Sequence, residues 1–210
     1  MNADLLRFNK EQKYLVIDTE TEGLNLVSSR PWQVSWLVCQ GDKILEEHDI
    51  YVKWKNLKVS KRVAKITGFT TEEYERKAEN NKDAWEKVAS YLYDPQYKIV
   101  GQNLLGFDVY VLNTWRKLRK MKSDYSFVNR IIDTRSLGVS ISRNIPLNKD
   151  NFLSWQYKML EIKTKRGENS MGTLLKKYNI PHDPKKLHDA LYDINMNYKV
   201  FRKQLYEVEL

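Results

Sequence analysis

Residues 14–24 read Tyr-Leu-Val-Ile-Asp-Thr-Glu-Thr-Glu-Gly-Leu, four apolar residues of β-favouring character that stop abruptly at Asp18. An unbroken apolar run suits a central strand covered by packed layers on both faces. Side chains alternate along a strand, so Asp18 and Glu20 point the same way at its carboxyl end. Ligands meet open α/β sheets at that edge. Taken alone, the two acids are weak evidence for a site, because strands often end in solvated acids.

Outward from this strand the pattern is that of an α/β fold. Residues 32–39 form a second strand-like run, Gly41-Asp42 supplies a turn, and residues 43–52 follow as a third strand, making an antiparallel meander. Helical spacing begins near Ser60, and Thr70 with Glu73 three residues on has the pattern of a capping box. Residues 83–93 are amphipathic through Trp85, Val88, Ala89 and Leu92. Residues 98–101 and 130–133 read as further strands. Between them 109–121 is helical, with Val111, Leu112, Trp115 and Leu118 on one face and Arg116, Lys117, Arg119 and Lys120 on the other. Helices are expected at 171–178 and 189–205. Residues 142–168, with Pro146, Trp155, Tyr157, Lys163, Lys165 and Arg166, read as a long loop or insertion. The whole chain, 1–210, is read as a single domain with a core at about 14–205.

Composition limits the function classes. With 41% hydrophobic and 12% aromatic residues, 210 residues suffice for a real core. Net charge is +9, and all of the excess is in the second half: residues 1–110 carry 16 Lys+Arg against 17 Asp+Glu, residues 111–210 carry 20 against 10. A basic surface favours polyanions, although solubility alone would account for it equally. The single cysteine, Cys39, allows no internal disulfide. Neither a signal-peptide h-region nor a membrane-length apolar run is present, so a soluble, cytoplasmic protein with no membrane contact is expected.

Two more stretches hold acids at element starts. Residues 103–108, Asn-Leu-Leu-Gly-Phe-Asp, put Asp108 at the head of the basic helix, where an N-capping aspartate is the ordinary explanation. Residues 188–193, His-Asp-Ala-Leu-Tyr-Asp, straddle the start of the last helix. His188 and Asp193 are five apart and share no face of a regular helix. They converge only if the histidine precedes the helix.

In this order, D-x-E, then F-D, then H-x-A-x-x-D, the three stretches resemble the DnaQ-like 3′→5′ exonucleases, in the subclass with a histidine in the last motif. Residues 65–70 (Lys-Ile-Thr-Gly-Phe-Thr), Ile132-Asp133-Thr134 and 172–178 resemble intervening family segments. Two departures stand out. Glu22 occupies a place where many members carry Thr, with altered contacts to the terminal nucleotide expected. Asn103 lies one residue further from Phe107-Asp108 than in bacterial proofreading subunits.

The resemblance implies an RNase H-like mixed five-stranded sheet with helices on both faces. It implies Asp18, Glu20, Asp108 and Asp193 as ligands of two Mg²⁺ or Mn²⁺ ions, with His188 as general base. Thr19, Thr21, Gly23, Leu24, Asn103 and Phe107 are the implied substrate contacts. The expected substrate is nucleic acid with a free 3′ end, DNA favoured over RNA, and a polymerase or replication factor is a candidate partner. An inactive binding module on this fold and an RNase H-like endonuclease are the competing readings. His48 and His182 are expected at the surface, and Trp155 is a candidate for stacking on a base.

Overall fold

The computed structural model describes residues 4–187 and 189–210. Its sheet comprises β1 (Lys13–Thr21), β2 (Pro31–Gln40), β3 (Lys43–Tyr51), β4 (Tyr97–Gly101) and β5 (Ile131–Asp133), in the order β3-β2-β1-β4-β5. The β1–β2 and β2–β3 pairs are antiparallel, whereas β1–β4 and β4–β5 are parallel. The 14–17 run therefore forms the middle strand. Gly101 leaves little room beside β1: a Cβ there would sit 3.0 Å from the Ile17 carbonyl oxygen.

Alternation along β1 feeds two cores. Leu15 and Ile17 face a layer containing α3 (Asn81–Leu92) and α4 (Asp108–Leu118), through Trp85, Val88, Leu112 and Trp115. Tyr14 and Val16 face the opposite layer, made of α5 (Thr134–Arg143), α6 (Phe152–Glu161) and α8 (Ala190–Gln204), through Leu137, Met159, Ile194 and Phe201. Helices cover both faces, as an α/β sheet buried on both sides requires. The smaller α1 (Lys61–Thr67), α2 (Thr71–Lys77) and α7 (Met171–Lys177) close the rim. Among the described residues no helix is long and apolar enough to cross a membrane.

The stretch read as a loop contains α6. Its start has no side-chain cap hydrogen bond, and Pro146, Asn148 and Asn151 just upstream masked the helical spacing. Trp155 is not free to stack on substrate: it is 6% exposed, its indole N–H donates to the Pro146 carbonyl at 3.0 Å, and its ring stacks on Phe152. The basic face of α4 is partly structural too. Arg116 donates to the Lys122 carbonyl and the Tyr93 hydroxyl, which leaves Lys117, Lys120 and Lys122 exposed. His48 lies on edge strand β3, stacked on Trp36.

Candidate active site

The site is built where β1 ends. Asp18 and Glu20 emerge half-buried from the α8 side of the pleat, while Thr19, between them, turns towards α4. The Thr19 backbone N–H and hydroxyl both donate to Asp108 Oδ1, at 3.1 and 2.6 Å. Thr19 is 5% and Asp108 3% exposed, so this contact is shielded from water. Asp108 is the first residue of α4; the N-cap position belongs to Phe107, which makes no side-chain cap bond. The capping explanation therefore fails for Asp108.

A second aspartate holds the loop that delivers it. Asp133, fully buried at the end of β5, accepts from the N–H groups of Asn103 (3.1 Å), Leu105 (3.0 Å) and Arg135 (2.9 Å), and more weakly Ser136. Those bonds fasten the β4–α4 loop to the start of α5. Asn103 adopts the left-handed conformation (φ 61°), which asparagine tolerates, and its Oδ1 accepts from Arg135 Nη1 at 2.7 Å. Gly106 is required beneath it, because a Cβ there would meet Asn103 Oδ1 at 2.5 Å.

The fourth acid comes from α8. Asp189 caps this helix by accepting from the Tyr192 N–H at 2.8 Å, and Asp193, in the first turn, lies half-buried beside Asp18. His188 lies outside the described residues.

Electrostatics tie the four acids together. Burial, then the charges of Asp108, Glu20 and Asp193, hold the Asp18 carboxyl well above the usual range. Glu20 is pushed up to about 8, first by burial and then by Asp193, Asp108 and Asp189. Burial lifts Asp108 to about 7 against the opposing hydrogen bonds from Thr19. Among the described residues no three His, Cys, Asp or Glu side chains are closed around a metal position. The chemistry of the donor set nonetheless suits hard divalent cations: carboxylates alone, with the one thiol, Cys39, buried in the core.

The remaining candidates divide. The Thr21 hydroxyl is turned back onto the Gly23 carbonyl and is 6% exposed, whereas Leu24 is 85% exposed at the rim. Glu22 binds Arg30 through both carboxylate oxygens, and Arg30 in turn donates to the Lys55 and Asn56 carbonyls, so this departure braces a loop. Two hollows flank the acids. One of about 380 Å³ lies beside Asp18 and Asp193; the other, of about 680 Å³, is lined by Gln33, which pairs with Glu20 in the sheet, and by Asp189. Asp133 and Arg135 escaped the sequence reading as site builders. Asp133 carried two signals, the resemblance of Ile132-Asp133-Thr134 to a family segment and an apolar run ending in Asp just as at Ile17-Asp18.

Comparison with known proteins shows the family and the fold. A model of the exonuclease family RNase_T matches residues 15–201. The PolC-type DNA polymerase III of Mycoplasmopsis pulmonis is 26% identical over 196 residues, covering 93% of this chain and 12% of the polymerase. Escherichia coli exonuclease I in complex with a dT13 oligonucleotide superposes with a TM-score of 0.71 at 20% identity, over 94% of this chain and 41% of that one. Its zinc-bound complex with single-stranded DNA gives the same TM-score at 20% identity, over 93% and 40%. The chain thus spans less than half the length of each.

Proposed function

The chain belongs to the RNase_T exonuclease family, and from that premise we propose that it shortens nucleic acid from a free 3′ end, DNA in preference to RNA. The observation that carries this reading is the gathering of acids at the end of β1: Asp18 and Glu20 on one side of the strand, Asp193 lining the same cavity as Asp18, and Asp108 bonded to Thr19 between them. Four acids crowded in a poorly hydrated pocket repel one another unless protonated or neutralised by cations. A strand end with no catalytic use has no reason to gather them.

These four carboxylates would hold two Mg²⁺ or Mn²⁺ ions, which when bound neutralise phosphate charge and activate water. Thr19 fixes the direction of one Asp108 oxygen, and Asp133 fixes the loop behind it. His188, with a reference pKa near 6.5, takes the proton of the attacking water in this reading. Leu24, Gly23 and Thr21 border the terminal nucleotide, with Asn103 and Phe107 on the strand side. Residues 14–205 act as one exonuclease domain inside the cell. The match to a PolC-type polymerase supports a replicative polymerase as partner.

Digestion of 3′-blocked and unblocked DNA and RNA strands, with Mn²⁺ or with EDTA, tests the proposal. Stepwise loss of mononucleotides from unblocked DNA, dependent on the cation, is expected. Cleavage of blocked strands or covalently closed circles would make the chain an endonuclease instead, and no cleavage of any substrate would leave a binding module.

A further inference from the structure

Between Asp49 and Glu72 the chain has no acid and six cations, Lys53, Lys55, Lys58, Lys61, Arg62 and Lys65, and all six are exposed. None of them belongs to an ion pair among the described residues. The next two helices handle charge differently: Lys77 pairs with Glu73, Lys82 with Glu86 and Lys87 with Glu79. A face that serves solubility alone mixes its signs in that way. A face left wholly positive repels itself until a polyanion neutralises it.

The backbone beneath these cations is fixed, and it is fixed to the rim of the site. The Lys53 N–H donates to the Glu79 carbonyl at 2.9 Å and the Trp54 N–H to the Tyr74 hydroxyl at 2.7 Å. Arg30 donates to the Lys55 and Asn56 carbonyls, and the Lys58 N–H reaches Glu22 Oε2 at 3.5 Å, two residues beyond Glu20. From there α1, capped by Ser60, buries none of its residues and carries Lys61 and Lys65 one turn apart. What α1 presents is charge. The cations thus line a flank beside the acids and outside their pocket.

The kind of polyanion follows from what accompanies the charge. Surfaces that hold single strands combine cations with open rings on which bases stack. The one aromatic residue of segment 53–65, Trp54, is half-buried, donates its indole N–H to the Pro31 carbonyl and packs against Trp115. Cations without a stacking ring contact phosphates and leave the bases unread. A duplex offers that arrangement, with its bases stacked inside and its phosphates outside.

Resting on the exonuclease reading above, we propose that residues 53–65 hold the phosphate backbone of the uncut strand of a duplex end, while the cut strand goes to the acids. The substrate class is then a 3′ terminus paired to a second strand. Lys55, Lys58 and Arg62 are specificity residues for that second strand, outside the proton and metal chemistry.

The test is anisotropy of a labelled blunt-ended DNA hairpin and of a labelled oligothymidylate, both in EDTA over a range of salt concentrations. K55Q/K58Q/R62Q should bind the hairpin about tenfold more weakly, with a log–log salt slope shallower by about 2.7, three phosphates of a duplex. K55Q/K58Q, which leaves α1 untouched, should lose about 1.8 of that slope, and K55R/K58R/R62K should keep it. K77Q/K82Q/K87Q removes the same charge from paired positions and should change the slope by less than about one. In Mn²⁺, K55Q/K58Q/R62Q should lower by about tenfold the ratio of kcat/KM on the hairpin to that on oligothymidylate. An unchanged hairpin slope in K55Q/K58Q/R62Q overturns the proposal. Equal weakening on both DNAs overturns it too, because the segment would then hold the cut strand. So does a variant that loses only its binding to phosphatidylserine vesicles, which would make the surface a lipid contact. A wild-type chain that shortens neither DNA sinks the exonuclease reading itself.

Discussion

Asp18 and Asp133 occupy equivalent places in sequence and opposite ones in chemistry. Each follows an apolar pair, Ile17 or Ile132, near the carboxyl end of a strand in the parallel part of the sheet. Asp133 is surrounded by backbone N–H groups from two segments, and burial raises its carboxyl only to about 6. Asp18 is surrounded by Asp108, Glu20 and Asp193, and is held well above the usual carboxylate range. Desolvation acts on both; the neighbours differ. Asp133, met only by donors, builds structure, whereas Asp18, met by other acids, is available for chemistry.

Substitutions should separate the two. Asp18→Asn is expected to cut exonuclease turnover by about 1,000-fold in a digestion assay, while melting of the EDTA-treated protein is no lower than wild type, because one of four mutually repelling charges has gone. His188→Ala should cut turnover by about 100-fold or more and leave stabilisation by Mn²⁺ intact. Asp133→Ala should do the reverse of Asp18→Asn. It leaves buried N–H groups without an acceptor and is expected to destabilise by about 3 kcal/mol, a melting-point drop of about 10 °C. Equal effects at positions 18 and 133 on both readouts would erase the distinction.

The pH dependence sharpens it. Glu20 sits at about 8 in the fold against an ordinary 4.5, and Asp108 at about 7 against 3.8. The folded, metal-free chain therefore binds more protons than the unfolded one between those values. The contribution of these two groups to stability is full below about pH 4 and is lost as pH rises towards 8. Melting curves in EDTA should show this decline, flattened in Glu20→Gln. Thr19→Val, the mildest change, removes one of two donors to Asp108, with about 1 kcal/mol of stability and about tenfold in turnover expected to go with it.

The same contrast explains what could be read in advance. All five strands were legible, because apolar runs bounded by turns signal them locally. The four acids are grouped in the sequence only by the resemblance of their order along the chain to the family's motifs. Helix α5 was not: Thr134, Ser136, Gly138, Val139 and Ser140 are poor helix formers, and the helix owes its start to the Asp133 cap and its middle to packing against the opposite core. The bond from Thr19 to Asp108 spans 89 residues, and that from Asn103 to Asp133 spans 30. Neither periodicity nor spacing reports such pairings. The resemblance implies Thr19 as a substrate contact, and the structure adds that its hydroxyl donates to Asp108.

The most direct check is the melting temperature of wild type and Asp18→Asn at pH 7.5, each in EDTA and in millimolar Mn²⁺. If four acids at the end of β1 share one pocket that cations neutralise, Mn²⁺ should raise the wild-type value by several degrees and the variant's by far less. Identical curves with and without the ion for the wild-type chain would contradict it.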